Sequence, residues 1–416
     1  MQDLDLSKIK KIFFIGIGGI GISALAKMAL SRGMEVSGLN DEEGKTIESL
    51  RELGVDVKMS KDTFDIPEAD LYVYSDAWLY RGPEILQKAR ETGKPVMNYF
   101  EALGQFAKQY KVIAIAGTHG KTTTTAMVAG VLVDAGLDPT VIVGSFVKKF
   151  ESNFRKGSSE YLVVEADEYN RHFLSLHPFL VVVTNIEAEH LDCYKDLADV
   201  QNAFDKLLSQ SVNKITDYTK YLEKLPKLSV PGVHNRMDAS AAYAVAEFLN
   251  IKEEVIKNSL SSFAGTWRRL EKKGMTREGV VVYDDYAHHP TEVRASLEAL
   301  REVYPKGAKN ITVLFQPHLY SRTKALFDEF VTCFDQADNV FLLPIYFARE
   351  NPDPEISSEK LVEAIRAHRG EAVAFSSFAE AEERISKMKL GQKDVFVTMG
   401  AGEAYKVAEK VFPIIN

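Results

Sequence analysis

Cysteine is almost missing from this chain: Cys193 and Cys333 are the two thiols in 416 residues. A disulfide framework is thereby excluded, and such sparse use of cysteine suits a reducing cytosol. Positive charge is also in deficit, with 51 Lys and Arg against 59 Asp and Glu and a formal net charge of −8. A global field that attracts nucleic acid or an anionic membrane is therefore absent, and a polyanionic ligand must be held by a local basic site. No apolar run is long enough and clean enough to span a membrane. The nearest, from Ile12 to Leu30, follows Lys8, Lys10 and Lys11 and imitates a signal peptide. Gly16, Gly18, Gly19, Gly21, Ser23 and Lys27 interrupt it, and no small-residue cleavage site follows. It reads as a buried strand and a helix, and the protein as cytoplasmic. Short repeats and low-complexity linkers are missing as well.

What is present is a globular composition, 45% apolar and 26% charged. The length predicts two to three domains. Strands are expected at Lys11–Gly16, Met34–Leu39 and Asp70–Tyr74, with a helix over Thr46–Leu53. A second series starts afresh with strands at Lys111–Ala116, Tyr161–Glu165 and Leu180–Asn185. A third has strands near Val280–Tyr283, Ile311–Phe315, Asn339–Leu343 and Asp394–Thr398. Strands that alternate with helices, several of them continuous apolar runs, imply an α/β fold of mainly parallel, doubly wound sheets. The boundaries fall near 108 and 265, giving domains 1–107, 108–265 and 266–416.

Two glycine-rich loops carry the first functional signal. Gly16-Ile17-Gly18-Gly19-Ile20-Gly21 follows a strand and opens a helix, the context in which G-x-G-x-x-G cradles a pyrophosphate. A dinucleotide site wants an acidic residue at the end of the next strand; Asp41 stands near that place but is displaced by Asn40. The nucleotide held there is left open by the motif. Gly117-Thr118-His119-Gly120-Lys121-Thr122-Thr123-Thr124 has the strand–loop–helix context of a phosphate loop, shortened because Ile115 occupies the usual first glycine position. Its amides form an anion nest, Lys121 can reach the β- and γ-phosphates of ATP, and the hydroxyl of Thr122 or Thr123 can ligate Mg²⁺. Glu165-Ala166-Asp167-Glu168 and Glu187-Ala188-Glu189-His190-Leu191-Asp192 follow two further expected strands. In a parallel sheet they reach the same edge as the loop. Glu165 and His190 are the candidate metal ligands there; Asp167, Glu187 and Glu189 are equally well explained as helix-capping turn residues.

These segments continue in order with Gly232-Val233-His234-Asn235, Phe263-Ala264-Gly265, Arg268-Arg269 and Glu271. Asp284-Asp285-Tyr286-Ala287-His288-His289-Pro290, Phe315-Gln316-Pro317-His318, Ser321-Arg322-Thr323 and Gly400-Ala401-Gly402 follow. Together they resemble the Mur ligase family of peptidoglycan synthesis, nearest to its alanine-adding members, over almost the whole chain. The resemblance implies an N-terminal Rossmann-like domain for a UDP-sugar, a central ATPase domain and a C-terminal Rossmann-like domain for the amino acid. It reassigns Gly16, Gly18, Gly19 and Gly21 to the UDP diphosphate. It implies Glu165 and His190 as magnesium ligands, joining Thr122 of the loop, and Asn235 as an adenine contact. Arg268 and Asp285 fall near the nucleotide, and Tyr286, His288 and Arg322 on the L-alanine side. The implied substrates are ATP, UDP-N-acetylmuramate and L-alanine, with no nucleic-acid or membrane partner, acting as a monomer or weak homodimer. His288 is a candidate to orient or deprotonate the amine; a structural histidine is the equal alternative.

The chain departs from the family pattern in three places. The stretch from Phe204 to Pro231 is short. Leu319 stands where many relatives carry a second arginine for the amino-acid carboxylate, leaving Arg322 to hold it. Asp238 replaces the asparagine common in the adenine motif. Rival readings are a recycling ligase that attaches a tripeptide, a nicotinamide-dependent oxidoreductase and a non-catalytic nucleotide-binding regulator. The second leaves Lys121 and Glu165 unexplained, and the third has no use for Tyr286, His288 and Arg322.

Overall fold

The computed structural model describes residues 4–59, 65–190, 193–347 and 350–415. Among them the strands build three sheets. The first comprises β1 (Lys11–Ile15), β2 (Glu35–Asn40), β3 (Asp56–Met59), β4 (Leu71–Tyr74) and β5 (Val96–Asn98), in the order β3-β2-β1-β4-β5. All its pairings are parallel. Strand order reverses beside β1, and the first glycine loop leaves β1 at that point, where open α/β sheets bind ligands.

The second sheet comprises β6 (Lys111–Ala116), β7 (Thr140–Val147), β8 (Ser152–Arg155), β9 (Tyr161–Glu165), β10 (Leu180–Val183) and β11 (Asn213–Ile215), in the order β11-β10-β6-β9-β7-β8. The third comprises β12 (Glu271–Met275), β13 (Val281–Asp285), β14 (Asn310–Phe315), β15 (Asn339–Leu342), β16 (Ala372–Ala374) and β17 (Asp394–Met399), in the order β12-β13-β17-β14-β15-β16. In each of these sheets one edge strand, β8 or β12, runs antiparallel. The expected α/β architecture of mainly parallel sheets is what the chain forms. Strands such as β6 and β10 are buried on both faces because helices cover them, which is why they read as unbroken apolar runs.

The chain forms two compact units. One joins Met1–Ser229 to Met237–Ala264 and holds the first two sheets; the other joins Val230–Arg236 to Gly265–Asn416 and holds the third. Within the first unit a single apolar cluster runs from Phe14 and Leu25, through Leu103 and Phe106, to Val164, Phe173 and Phe204. Leu103 and Phe106 lie on the helix Tyr99–Ala107, started by a capping box between Asn98 and Glu101. Among the described residues, no helix is long and apolar enough to cross a membrane.

Candidate active site

The second glycine loop connects β6 to the helix Lys121–Asp134 and is pinned from below by the end of β10. Thr118 N donates to Asn185 O at 3.0 Å and His119 N to Asn185 Oδ1 at 2.9 Å. Thr184 Oγ1 donates to His119 O at 2.6 Å. Two glycines are required by this packing. A Cβ on Gly117 (φ 138°) would lie 1.9 Å from Thr184 Oγ1, and one on Gly120 (φ 82°) 2.2 Å from Asp238 Oδ1. Asp238 also accepts from Thr124 Oγ1 at 3.2 Å. The short stretch after Phe204 reaches the same place: the Tyr218 hydroxyl donates to the Thr184 carbonyl, and the Ser240 hydroxyl donates to the carbonyl of Tyr218.

Lys121 donates to Gly117 O at 2.7 Å and to Thr118 O at 2.9 Å, and its ammonium lies 2.8 Å from Glu168 Oε2. Burial works against that ammonium, but the carboxylates of Glu168 and Asp167 outweigh it and raise the pKa of Lys121. Glu168 is 2% exposed; burial would raise its carboxyl, yet Lys121 and His190 hold it below the usual range. Asp167 follows its surroundings the other way, pushed up to about 6 by burial and by the charge of Glu168. His190 Nε2 lies 3.4 Å from Glu168 Oε1. Burial disfavours the charged ring of His190, but the hydrogen bond to Glu168 and the charges of Glu189, Glu168 and Asp167 together outweigh it and raise its pKa.

Among the described residues, two sets of metal-type donors lie at this edge. Thr122 Oγ1 donates to Glu165 Oε1 at 2.9 Å, and Glu165 Oε2 accepts from Gly144 N at 2.7 Å. Asp167, Glu168 and His190 form the other set, each offering one ligand atom within 4.8 Å of the rest. Sequence reading placed Thr122, Glu165 and His190 in one set; the structure keeps Thr122 with Glu165 and groups His190 with Asp167 and Glu168. Glu168 is the residue that reading passed over. Its signal was its position three residues past a buried strand, level with the loop. Leu191 and Asp192 of the second acidic run lie outside the described residues.

The first glycine loop is furnished differently. Gly18 N donates to Asn40 Oδ1 at 3.1 Å, and Thr46 Oγ1 donates to Gly18 O at 2.6 Å. The ring of Tyr99 lies 2.8 Å from where a Cβ on Gly21 would sit. Gly19 caps the following helix, Ile20–Ser31. Asp41 pairs with Arg81 at 2.9 Å.

The other unit holds the remaining predicted residues, Tyr286, His288 and Arg322 among them following β13 and β14. Asn235 is buried, its amide donating to Pro231 O at 2.6 Å. Arg268 is spent internally: Nε donates to Asp284 Oδ2 at 2.8 Å, Nη1 to Gly402 O at 3.0 Å and Nη2 to Gly400 O at 2.7 Å. The next residue, Arg269, lies partly exposed with its guanidinium 5.2 Å from the centre of the Tyr286 ring. Asp285 accepts from the Ser296 hydroxyl and from Ala287 N, and burial pushes its carboxyl up to about 6. His288 Nδ1 lies 3.0 Å from Tyr286 O and 3.4 Å from Glu292 Oε2. Its ring meets that of His318 edge-on at 5.9 Å. His318 in turn stacks on Tyr346 and lies 3.2 Å from Arg322 Nη1. Leu319, beside it, has φ 71° and ψ 134°, a strained conformation for a branched residue, fixed by Leu319 N donating to Tyr346 O at 2.8 Å. The structure thus brings Tyr286, His288 and Arg322 to one loop cluster and adds His318 and Tyr346.

Comparison with known proteins gives the same arrangement a history. Three family models match in succession: "Mur ligase family, catalytic domain" over residues 11–111, "Mur ligase middle domain" over 115–289 and "Mur ligase, glutamate ligase domain" over 268–402. A UDP-N-acetylmuramate–L-alanine ligase of Clostridium perfringens is 37% identical, the match covering 96% of this chain and 97% of the relative. One of Desulfosudis oleivorans is 38% identical, covering 97% and 98%. The first of these alignments extends over 449 positions against 416 residues here, so the relative carries residues without a counterpart in this chain. Among solved structures, the UDP-N-acetylmuramate–alanine ligase of Thermotoga maritima superposes with a TM-score of 0.83 at 28% identity, over 96% of this chain and 98% of that one. A murein peptide ligase of Psychrobacter arcticus shares the fold, with a TM-score of 0.67 at 21% identity and coverage of 97% and 98%. A phosphate loop paired with an acidic cluster around buried Glu168, three mainly parallel sheets and 37% identity to a curated relative over nearly the full length agree: the chain belongs to the Mur ligase family.

Proposed function

We infer that the chain is an ATP-dependent ligase that joins L-alanine to the carboxylate of UDP-N-acetylmuramate through an acyl phosphate, a step of peptidoglycan synthesis. The observation that carries the reading is Lys121, partly buried in the phosphate loop and paired with Glu168 beside Asp167 and His190. A loop that only held a nucleotide has no need of that acidic set. Phosphoryl transfer between two anions does, because it depends on charge neutralisation and alignment.

In the proposed scheme the diphosphate of the UDP-sugar rests on Gly16, Gly18, Gly19 and Gly21 at the start of the helix Ile20–Ser31, whose amides and dipole favour an anion. ATP lies on residues 117–123, with Lys121 toward its terminal phosphates. The donor chemistry suits Mg²⁺: a hydroxyl with a carboxylate at Thr122 and Glu165, and carboxylates with an imidazole at Asp167, Glu168 and His190. Bound there, Mg²⁺ supplies neutralisation of phosphate charge. The sugar carboxylate attacks the γ-phosphate, ADP leaves, and the amine of L-alanine attacks the acyl carbonyl and expels phosphate.

In the second unit we assign the nucleotide contacts to Asn235, Arg269 and Asp285. Arg268 becomes a positioning group, since its guanidinium is taken up by Asp284 and two carbonyls. Tyr286, His288 and Arg322, with His318, form the proposed amino-acid side. The proposed domains are 1–107, 108–265 and 266–416, and the proposed setting is the cytoplasm, as a monomer or weak homodimer.

Initial rates of ADP release across a panel of amino acids and the tripeptide test this reading. Release is expected with UDP-N-acetylmuramate, Mg²⁺ and L-alanine together. Release indifferent to the amino acid, or equal with the tripeptide, overturns it.

A further inference from the structure

Directly after the acidic cluster the backbone turns sharply. Asn170 and Arg171 both adopt left-handed conformations, φ 49° and 59°, which non-glycine residues hold only where their surroundings over-determine them. Here the determinants are visible. Arg171 Nη2 reaches both oxygens of Asp199 at 2.8 Å, its guanidinium lies 4.6 Å over the Tyr194 ring, and Phe173 N donates to Asp167 O at 2.9 Å. The turn directs His172 away from the phosphate loop and toward the first sheet.

There His172 stacks on Phe100, with ring centroids 3.7 Å apart and 13° between planes, and Nε2 lies 2.8 Å from Asp76 Oδ2. With the carboxylate as acceptor, Nε2 carries the proton. The imidazole is 7% exposed, and its Nδ1 is buried without a hydrogen-bond partner. An imidazole left half-satisfied is a poor stabilising device; a well-packed apolar side chain would cost less. What the pair does provide is direction, because a buried hydrogen bond between two side chains fixes two surfaces in one register.

The surfaces it fixes are the two that the reaction must align. Asp76 lies two residues past β4, next to Ser75, whose Cβ is 3.2 Å from where a Cβ on Gly16 would sit. Trp78 N donates to Ser75 O at 2.8 Å, and the Trp78 indole packs on Gly16 itself. Tyr99, adjacent to Phe100, packs on Gly21. On the other side, His172 is four residues from Glu168, the partner of Lys121.

We propose that His172 and Asp76 are positioning residues for the phosphoryl-transfer half of the reaction, setting where a carboxylate carried on the first sheet meets a phosphate held over the second. The proposal rests on the ligase reading above. Misplacement of reacting atoms by an ångström is enough to cost about a hundredfold in rate, so the effect belongs in kcat.

The test uses the full-length chain with UDP-N-acetylmuramate, L-alanine, ATP and Mg²⁺, comparing wild type with His172→Phe, which retains the stack, Asp76→Ala and the double variant. Expected is a kcat lower by roughly 10- to 100-fold. The KM for ATP and for L-alanine should stay within about twofold, and the double variant should be no slower than the slower single one, since both remove one contact. His172→Gln, which keeps a side-chain N–H for Asp76, is expected to recover kcat to within about threefold of wild type. Unchanged kcat in His172→Phe overturns the proposal. So do losses that multiply in the double variant, or losses that follow the melting temperature. Should His172→Phe fail to fold, Phe100→Leu keeps the hydrogen bond to Asp76 and loosens its register, and an unchanged kcat there also overturns it. Wild-type turnover with these substrates bears on the ligase reading, and the variants' kcat on the positioning, so the two fail separately.

Discussion

The two glycine loops share a backbone device and differ in everything around it. Each leaves a parallel strand where strand order reverses, and each opens a helix whose first amides can face an anion. Around Gly16–Gly21 stand neutral groups, Asn40, Thr46, Trp78 and Tyr99, that shape the loop without bringing charge to it. Around Gly117–Thr122 stand a partly buried lysine, the carboxylates of Asp167, Glu168 and Glu189, and a histidine, each altering the ionisation of a neighbour. The difference separates holding from transferring. A diphosphate that only anchors a substrate is served by backbone amides, whereas a phosphate that changes partners needs charge placed where charge develops.

Breaking the second loop should therefore cost turnover, and breaking the first should cost binding. Lys121→Ala is expected to lower kcat by at least about a thousandfold, as loss of a principal transition-state charge does. Calorimetric affinity for UDP-N-acetylmuramate should stay within about twofold. Simultaneous loss of both would erase the distinction between the loops. Glu168→Gln comes next, with kcat down roughly a hundredfold in the ADP-release assay and a lower melting temperature, because it leaves the partly buried Lys121 charge without its closest anion. Gly18→Ala should do the reverse: a Cβ there would lie 2.6 Å from the Asn40 amide, so KM for the UDP-sugar should rise about tenfold with kcat nearly kept.

The smallest effect sharpens the comparison from the second unit. Asp285 titrates near 6 when folded against 3.8 for the free side chain, so the folded state binds the extra proton between those values. Stability must then fall as pH rises through that window, by up to about 3 kcal/mol if the whole shift is expressed. Asp285→Asn, whose amide oxygen can still accept from Ser296, should flatten that fall in melting curves taken at pH 4.5 and 7. An unchanged slope would remove burial of Asp285 as its cause.

Legibility in the sequence followed the same division. Strands buried on both faces, such as Lys111–Ala116 and Tyr161–Glu165, announced themselves as apolar runs and fall at their predicted residues. Short or edge strands, β3, β5, β8, β11, β12 and β16, were not read, because a few residues with one wet face carry too little pattern. β7 was missed although Val141-Ile142-Val143 marks it. Both loops were legible because glycine spacing reports a backbone constraint directly. The partnership of Lys121 with Glu168 was not, since it depends on which carboxylate the turn after β9 aims inward. The different surroundings of Arg268 and Arg269 were invisible for a similar reason: two adjacent arginines look alike until Asp284 and the carbonyls of Gly400 and Gly402 hydrogen-bond one of them.

The central claim is that the phosphate held at Lys121 goes to a sugar carboxylate and not to water. Heavy-oxygen label placed in the lactyl carboxylate of UDP-N-acetylmuramate tests this most directly, by mass spectrometry of the phosphate released in the presence of ATP, Mg²⁺ and L-alanine. Attack by the carboxylate carries one labelled oxygen into each phosphate. Unlabelled phosphate, with the label retained in the sugar, would mean that ATP is hydrolysed and that the ligase account is wrong.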